Sequence, residues 1–276
     1  MTAPVYGTYS LSGWRQRLLA LAQRQDRSWL GRRLALIARR LVLKGRSRPI
    51  DANADGFRMR VHVTDNVSER KFLFMPQFCD ISERDYLVSH LTSDGVFLDI
   101  GANAGIYTLT AARAYSAHQG TGYVLAVEAN PTMQARLDFN VHLNGLASQV
   151  RLARVALSDH SGEVTFNISN SNLGESSLAP TEGTPITVPC QTLLSLLEEH
   201  QVDQVDGMKI DVEGMEDVIL MPFFGAAPQA LHPRFVIIEN SSAKWRSDLF
   251  GRMHDLGYRL IATHKMNSIL ALNQPG

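Results

Sequence analysis

Asp99, Glu128, Asp211 and Glu239 each stand at or near the end of a short apolar run in this 276-residue chain. The runs cover 96–100, 122–128, 206–212 and 234–239. A carboxylate inside a buried strand is costly to desolvate, so chance would not set four acids at such matched positions. In an open α/β sheet, ligands bind beyond the carboxyl ends of the strands, where strand order reverses. The four acids therefore predict one acidic rim around a ligand.

The first run opens into a turn, G-A-N-A-G at residues 101–105. It has neither the G-x-G-x-x-G order of dinucleotide folds nor the G-K-[ST] of a phosphate-cradling loop. No Lys or Arg lies between Asp99 and Ala112, so a multiply charged anion would be poorly served. A cationic ligand with a ribose fits better. Glu128 is placed to accept hydrogen bonds from two ribose hydroxyls, and the glycines admit a bulky group close to the backbone. A sulfonium with a nearby ammonium suits the acidic rim. Asn103 is expected to cap the helix that starts near Gly105.

The elements that position these residues alternate. Strand 96–100 precedes helix 104–117, and strand 122–128 precedes helix 131–143. Asn130 caps the second of these helices, Pro131 opens it and Gly145 follows it. Strands are expected at 150–155, 162–168, 206–212 and 234–239, with helices at 191–200, after Gly214 and at 242–256. The last helix is expected to bury Trp245, Leu249, Met253 and Leu256. Strands 257–262 and 268–272 are joined by five residues, which predicts an antiparallel hairpin. The alternation implies a mostly parallel, seven-stranded sheet with helices on both faces. Ahead of it, residues 56–63 and 71–75 read as a hairpin around "TDNVSE", and 82–91 as a short helix.

With 45% hydrophobic and 20% charged residues, the chain falls among ordinary globular proteins. Cys79 and Cys190 suggest neither a disulfide framework nor a zinc cluster. No apolar run is long enough to span a bilayer, and the start lacks the apolar core of a signal peptide. The expected setting is the cytoplasm. The net charge of zero hides an asymmetry: residues 10–50 hold eleven Lys or Arg against one acid, Asp26. Residues 1–55 are therefore expected to form a basic helical extension and 56–276 the main domain, with the hairpin at its start. The extension reads as two helices that break near Arg27–Ser28, with Leu30, Leu34, Ile37 and Leu41 on one face of the second. It packs by its leucines on the domain, or residues 11–48 lie on an anionic membrane surface. Nucleic acid is disfavoured because no aromatic interleaving or RNA-binding motif accompanies the charge.

Four blocks, "FLDIGANAGIYTLTAA", "VEANP", "VALSD" and "MKIDVEGME", stand in order between residues 97 and 216. Together they resemble the FkbM family of S-adenosylmethionine-dependent methyltransferases, which have the Rossmann-like class I fold. The resemblance spans roughly residues 90–260. It implies that Asp99, Gly101, Asn103 and Gly105 line the methionine part of the cofactor. Glu128 would hold the ribose, with Ala129 and Asn130 beside it. Ala156 and Leu157 would meet the adenine, and Asp211 would face the amino group or the transferred methyl. It also implies O-methylation of a hydroxyl on a sugar, a glycan or a small-molecule natural product.

The alternatives are N-methylation of a small-molecule amine, a dinucleotide-dependent oxidoreductase and a non-catalytic binding module. The turn lacks the phosphate-friendly features of the second, and the intact acidic rim counts against the third. The [DN]-P-P-[YF] signature of many amino-methylating enzymes is absent after the fourth strand, where "DVEG" stands. Asp211 and Glu239 are the catalytic candidates. With Asn240 they also resemble the divalent-ion ligands of catechol-type O-methyltransferases, and oxygen ligands would suit Mg²⁺ or Ca²⁺. The competing assignment gives Asp211 to the cofactor's ammonium and Glu239 to proton removal or to structure. Glu213 and Glu216 read as charges that begin a helix, and His264 could reach the rim. Acceptor pockets are expected from residues 56–92 and 168–186.

Overall fold

The computed structural model describes residues 4–168, 173, 176–177 and 184–273. The chain begins with a helix hairpin, α1 (Gly13–Gln23) and α2 (Trp29–Leu43). A β-hairpin follows, β1 (Ile50–Ala54) and β2 (Phe57–Val61), turning on Asp55 and Gly56, both at positive φ. An Asp-Gly pair is a strong two-residue hairpin signal, so the expected hairpin moves upstream and crosses the junction at residue 55. Residues 71–75, expected as its second strand, instead lie largely in helix α3 (Val67–Phe74). Asn66 caps α3 by accepting from the Glu69 backbone N–H, a start signal hidden inside "TDNVSE". Helix α4 (Ile81–His90) leads into the main sheet.

That sheet is built from β3 (Val96–Ile100), α5 (Ile106–His118), β4 (Tyr123–Val127), α6 (Pro131–Leu143) and β5 (Val150–Ala153). A small second sheet intervenes, with β6 (Ala156–Leu157), β7 (Gly162–Ile168), β8 (Ser176–Ser177) and β9 (Thr184–Gln191) in the order β6-β9-β7-β8. The main sheet resumes with α7 (Leu193–Glu199), β10 (Gly207–Ile210), α8 (Glu216–Ala226), β11 (Phe235–Glu239), α9 (Leu249–Asp255), β12 (Tyr258–Thr263) and β13 (Asn267–Leu272).

Among the described residues the main sheet has seven strands in the order β12-β13-β11-β10-β3-β4-β5. Parallel pairing runs from β11 to β5, and β13 pairs antiparallel with both β11 and β12. Every residue of β3 and β10 is buried, as expected when helices cover both faces. The apolar core divides accordingly, with Leu109, Tyr115 and Leu137 on one face and Leu196, Leu220 and Met253 on the other. Strand order reverses between β3 and β10, so the switch point lies between the Asp99 and Asp211 ends.

Two expectations change here. The helix expected over 242–256 is a 3₁₀ turn at Ser242–Lys244 followed by α9, which Asp248 caps. Leu249 and Met253 are buried, but Trp245 and Leu256 are only half-buried. Trp245 donates its Nε1–H to Glu216, which holds the chain off a helical path. In α2, Leu30, Leu34, Ile37 and Leu41 do share a face, but that face is exposed. Gly31, Ala35, Ala38 and Val42 pack inward instead, because small residues let the helix lie close. None of the described helices is long and apolar enough to cross a membrane.

Candidate active site

The turn after β3 is closed by its own hydrogen bonds. The Gly101 and Ala102 N–H groups both donate to Val127 O at 3.0 Å. Asn103 N–H donates to Glu128 Oε2 at 2.7 Å, Ala104 N–H to Asn103 Oδ1 at 2.8 Å, and Gly105 N–H to Ala102 O at 2.9 Å. A phosphate loop works by aiming such N–H groups at an anion. Here all five are committed, which answers for the missing lysine. Gly101 has φ +75, and a Cβ on it would stand 2.1 Å from Asp211 O. Only glycine fits where the β10 end crosses this turn. Gly105, at φ +95, is the N-cap of α5, so Asn103 does not take that role. Asn103 instead binds sideways, accepting from Asn66 Nδ2 at 2.7 Å.

Two cavities of about 490 and 500 Å³ adjoin at this turn. Gly101, Asn103, Asp211 and Glu213 line both. The first cavity continues over Glu128, Ala129, Ala156, Leu157 and Phe166, giving an apolar slot with a carboxylate at one side. Glu128 accepts from Asn103 N–H and, through Oε1, from Asn130 N–H at 2.7 Å. Burial nevertheless pushes it up to about 7 against those two bonds. A carboxylate offers roughly four lone-pair positions, so two hydrogen bonds leave acceptor capacity for a ligand.

The second cavity is floored by Asp99, Lys209, Asp211, Glu239 and Tyr107, and α3 and the segment around Asp80 wall it. Asp99 and Lys209 face each other in register on β3 and β10. Lys209 is 3% exposed and lies 3.1 Å from Asp211 Oδ2. Burial pushes Asp99 up to about 6, opposed by the Thr108 hydroxyl that donates to it and by Lys209. Glu239 is pushed up to about 7 by burial and by the neighbouring Asp211, Glu213 and Glu216 charges, with Lys209 pulling the other way. Its Oε2 is buried and has no hydrogen-bond partner among the described residues. Cys79 also borders this cavity, but burial holds its thiol up at about 12 and therefore unreactive.

The two sheets thus bring Gly101, Asn103, Glu128, Ala129, Ala156, Leu157 and Asp211 around one cavity, and Asp99 and Glu239 around its neighbour. Gly105 and Asn130 line neither. Gly105 packs under Leu137, and Asn130 caps α6 while its amide donates to Leu173 O. Asn240 also lines neither: its amide binds His264 O, and its oxygen accepts from Ser268. His264 stays outside both. Among the described residues, no three His, Cys, Asp or Glu side chains are grouped as a metal site. Glu216 is fully buried, accepting from Val212 N–H, Gly214 N–H, Ser241 and Trp245, so it builds the α8 start as expected.

Of the expected acceptor segments, 56–92 supplies Val67, Ser68, Glu69, Lys71, Cys79 and Asp80 to the second cavity. Residues 169–172, 174–175 and 178–183 of the other segment lie outside the described residues. Sequence reasoning missed Lys209, Tyr107 and Phe166. A lysine within the apolar run "GMKI" was the available signal, because a buried cation needs a partner.

Residues 99–260 match the methyltransferase FkbM domain. Methyltransferase sdnD of Sordaria araneosa is 25% identical over 183 residues, covering 55% of this chain and 68% of that protein. Among solved structures, the METTL16 methyltransferase domain aligns at TM-score 0.48 and 16% identity, over 94% of this chain and 91% of that one. The FkbM methyltransferase of Methylobacillus flagellatus KT aligns at TM-score 0.45 and 12% identity. That alignment covers 92% of this chain and 57% of that one.

Proposed function

Because the chain belongs to the FkbM methyltransferase family, whose cofactor is S-adenosylmethionine, we propose that it methylates a hydroxyl on a neutral small molecule, sugar or glycan. The observation that carries this reading is the pair of adjoining cavities with Gly101, Asn103, Asp211 and Glu213 as their common wall. The cofactor fits the first. Gly101 and Asn103 of the closed turn line it, Glu128 keeps acceptor capacity for a ribose, and Ala129, Ala156 and Leu157 form a slot for a flat base. When bound, the cofactor supplies a methyl group on a sulfonium centre.

The chain's residues supply positioning and a proton acceptor. Asp211, on the common wall, offers a carboxylate to the cofactor's ammonium. In the second cavity, the Glu239 oxygen that has no partner among the described residues would accept the hydroxyl proton as the hydroxyl oxygen takes the methyl, whose bond to sulfur breaks to leave a neutral thioether. A base near 7 is matched to work at neutral pH. Holding the two reactants against each other where the cavities meet, at Gly101, Asn103, Asp211 and Glu213, contributes the rest through proximity. The carboxylates around the second cavity disfavour phosphorylated or carboxylated acceptors. They also stabilise an ammonium over a neutral amine, which opposes N-methylation, since only the neutral amine attacks.

The test is transfer of labelled methyl from S-adenosylmethionine to a panel of neutral sugars and polyols, amines, and phosphorylated sugars. Label is expected in the neutral hydroxyl compounds. Label in amines alone would overturn the O-methyl reading. Calorimetry showing no S-adenosylmethionine binding alongside tight NAD binding would overturn the cofactor assignment as well.

A further inference from the structure

The outer face of α2 is apolar and cationic at once. Trp29, Leu30, Leu34, Ile37 and Leu41 are between 43% and 71% exposed. Scattered apolar side chains on a surface are ordinary, but a contiguous stripe rimmed by charge marks an interaction surface. At 3.6 residues per turn, Arg33, Arg40 and Lys44 run along the flank of this stripe. The Arg33 guanidinium lies 5.2 Å over the Trp29 ring. None of the cations of the helix hairpin takes part in an ion pair among the described residues.

We infer that this face seats on an anionic lipid bilayer, with the leucine stripe at the acyl boundary and the arginines on the headgroup phosphates. The charge selects this occupant. Residues 10–50 carry eleven basic residues and one acid, while the rest of the chain carries 16 basic and 26 acidic. A second copy of the face would set like charges together. A nucleic acid would meet leucines where its phosphates and bases call for polar contacts. The hairpin is also fastened to the wall of the second cavity. Gln23 donates to Leu73 O at 2.8 Å, and Gln77 donates to Ala22 O and Gln25 O at 3.0 Å. Docking would therefore hold the α3 wall beside the bilayer. The inference does not depend on which acceptor the cavity takes.

Flotation of the full chain with vesicles of phosphatidylcholine, alone or mixed with phosphatidylserine, tests it. Binding to the mixed vesicles only, weakened by high salt, is expected. The pair Leu34→Glu and Ile37→Glu should lower the bound fraction at least about tenfold, as should Arg33→Glu with Arg40→Glu. Circular dichroism and S-adenosylmethionine binding should be unchanged in both. Four results would overturn the inference: no flotation, equal binding to neutral vesicles, retention on RNA in place of vesicles, or a self-association that the leucine variant dissolves.

Discussion

Glu128 directly follows β4 and Glu239 ends β11 in one sheet, and burial pushes both up to about 7. Their surroundings differ. Each Glu128 oxygen accepts a backbone N–H at 2.7 Å. Glu239 has a buried oxygen with no partner among the described residues and lies among the charges of Asp211, Glu213 and Glu216. A carboxylate clamped by the backbone is held still, which suits orienting a ligand. An unsatisfied one costs about 1–3 kcal/mol of stability and keeps an oxygen ready for a proton. On the reading proposed above, the same residue type near two strand ends would serve binding in one cavity and chemistry in the next.

The largest expected effect comes from removing the reactive side of this contrast. Glu239→Gln should lower turnover by about 10²–10⁴ while calorimetry finds cofactor affinity unchanged. Near-normal turnover would break the comparison. The pH profile sharpens it. Below about 7 Glu239 holds its own proton and cannot take another, so turnover should climb as pH rises through that value. The glutamine variant should lose this limb.

Next in size is Glu128→Ala, which should weaken S-adenosylmethionine binding by about 1–3 kcal/mol. It should also lower the melting temperature, because the Asn103 and Asn130 N–H groups lose their acceptor. An affinity matching the wild type would make Glu128 architecture alone. A smaller effect is expected from Lys209→Met. Loss of the cation that pulls Glu239 downward should move the midpoint of the rising limb upward by up to about one unit, read from the pH–rate profile. The smallest is Trp245→Phe. Glu216 keeps its bonds to Val212, Gly214 and Ser241, so denaturation should report a loss of about 1 kcal/mol with turnover nearly constant.

Much of the frame was legible because local signals agreed. Asn130 and Pro131 placed α6 to the residue, and apolar runs placed β3 and β11. The rim acids followed from those strand ends. Other features were hidden for identifiable reasons. Periodicity shows that Leu30, Leu34, Ile37 and Leu41 share a face, but not what that face meets. The small residues on the other side carried the packing. β9 was obscured by Pro185 and Pro189, which sit at exposed positions along it. In "TDNVSE" the loop composition drew attention away from the Asn66 cap. Lys209 pairs locally with Asp211, but its register with Asp99 joins residues far apart in the chain.

The closed turn at Gly101–Gly105 has a thermodynamic consequence. Its five N–H groups all find acceptors within the chain itself, so the ordering entropy of this loop belongs to folding and not to binding. Cofactor association at this turn should therefore carry the modest negative heat-capacity change of two fitted surfaces, without the large one that accompanies a loop folding around its ligand.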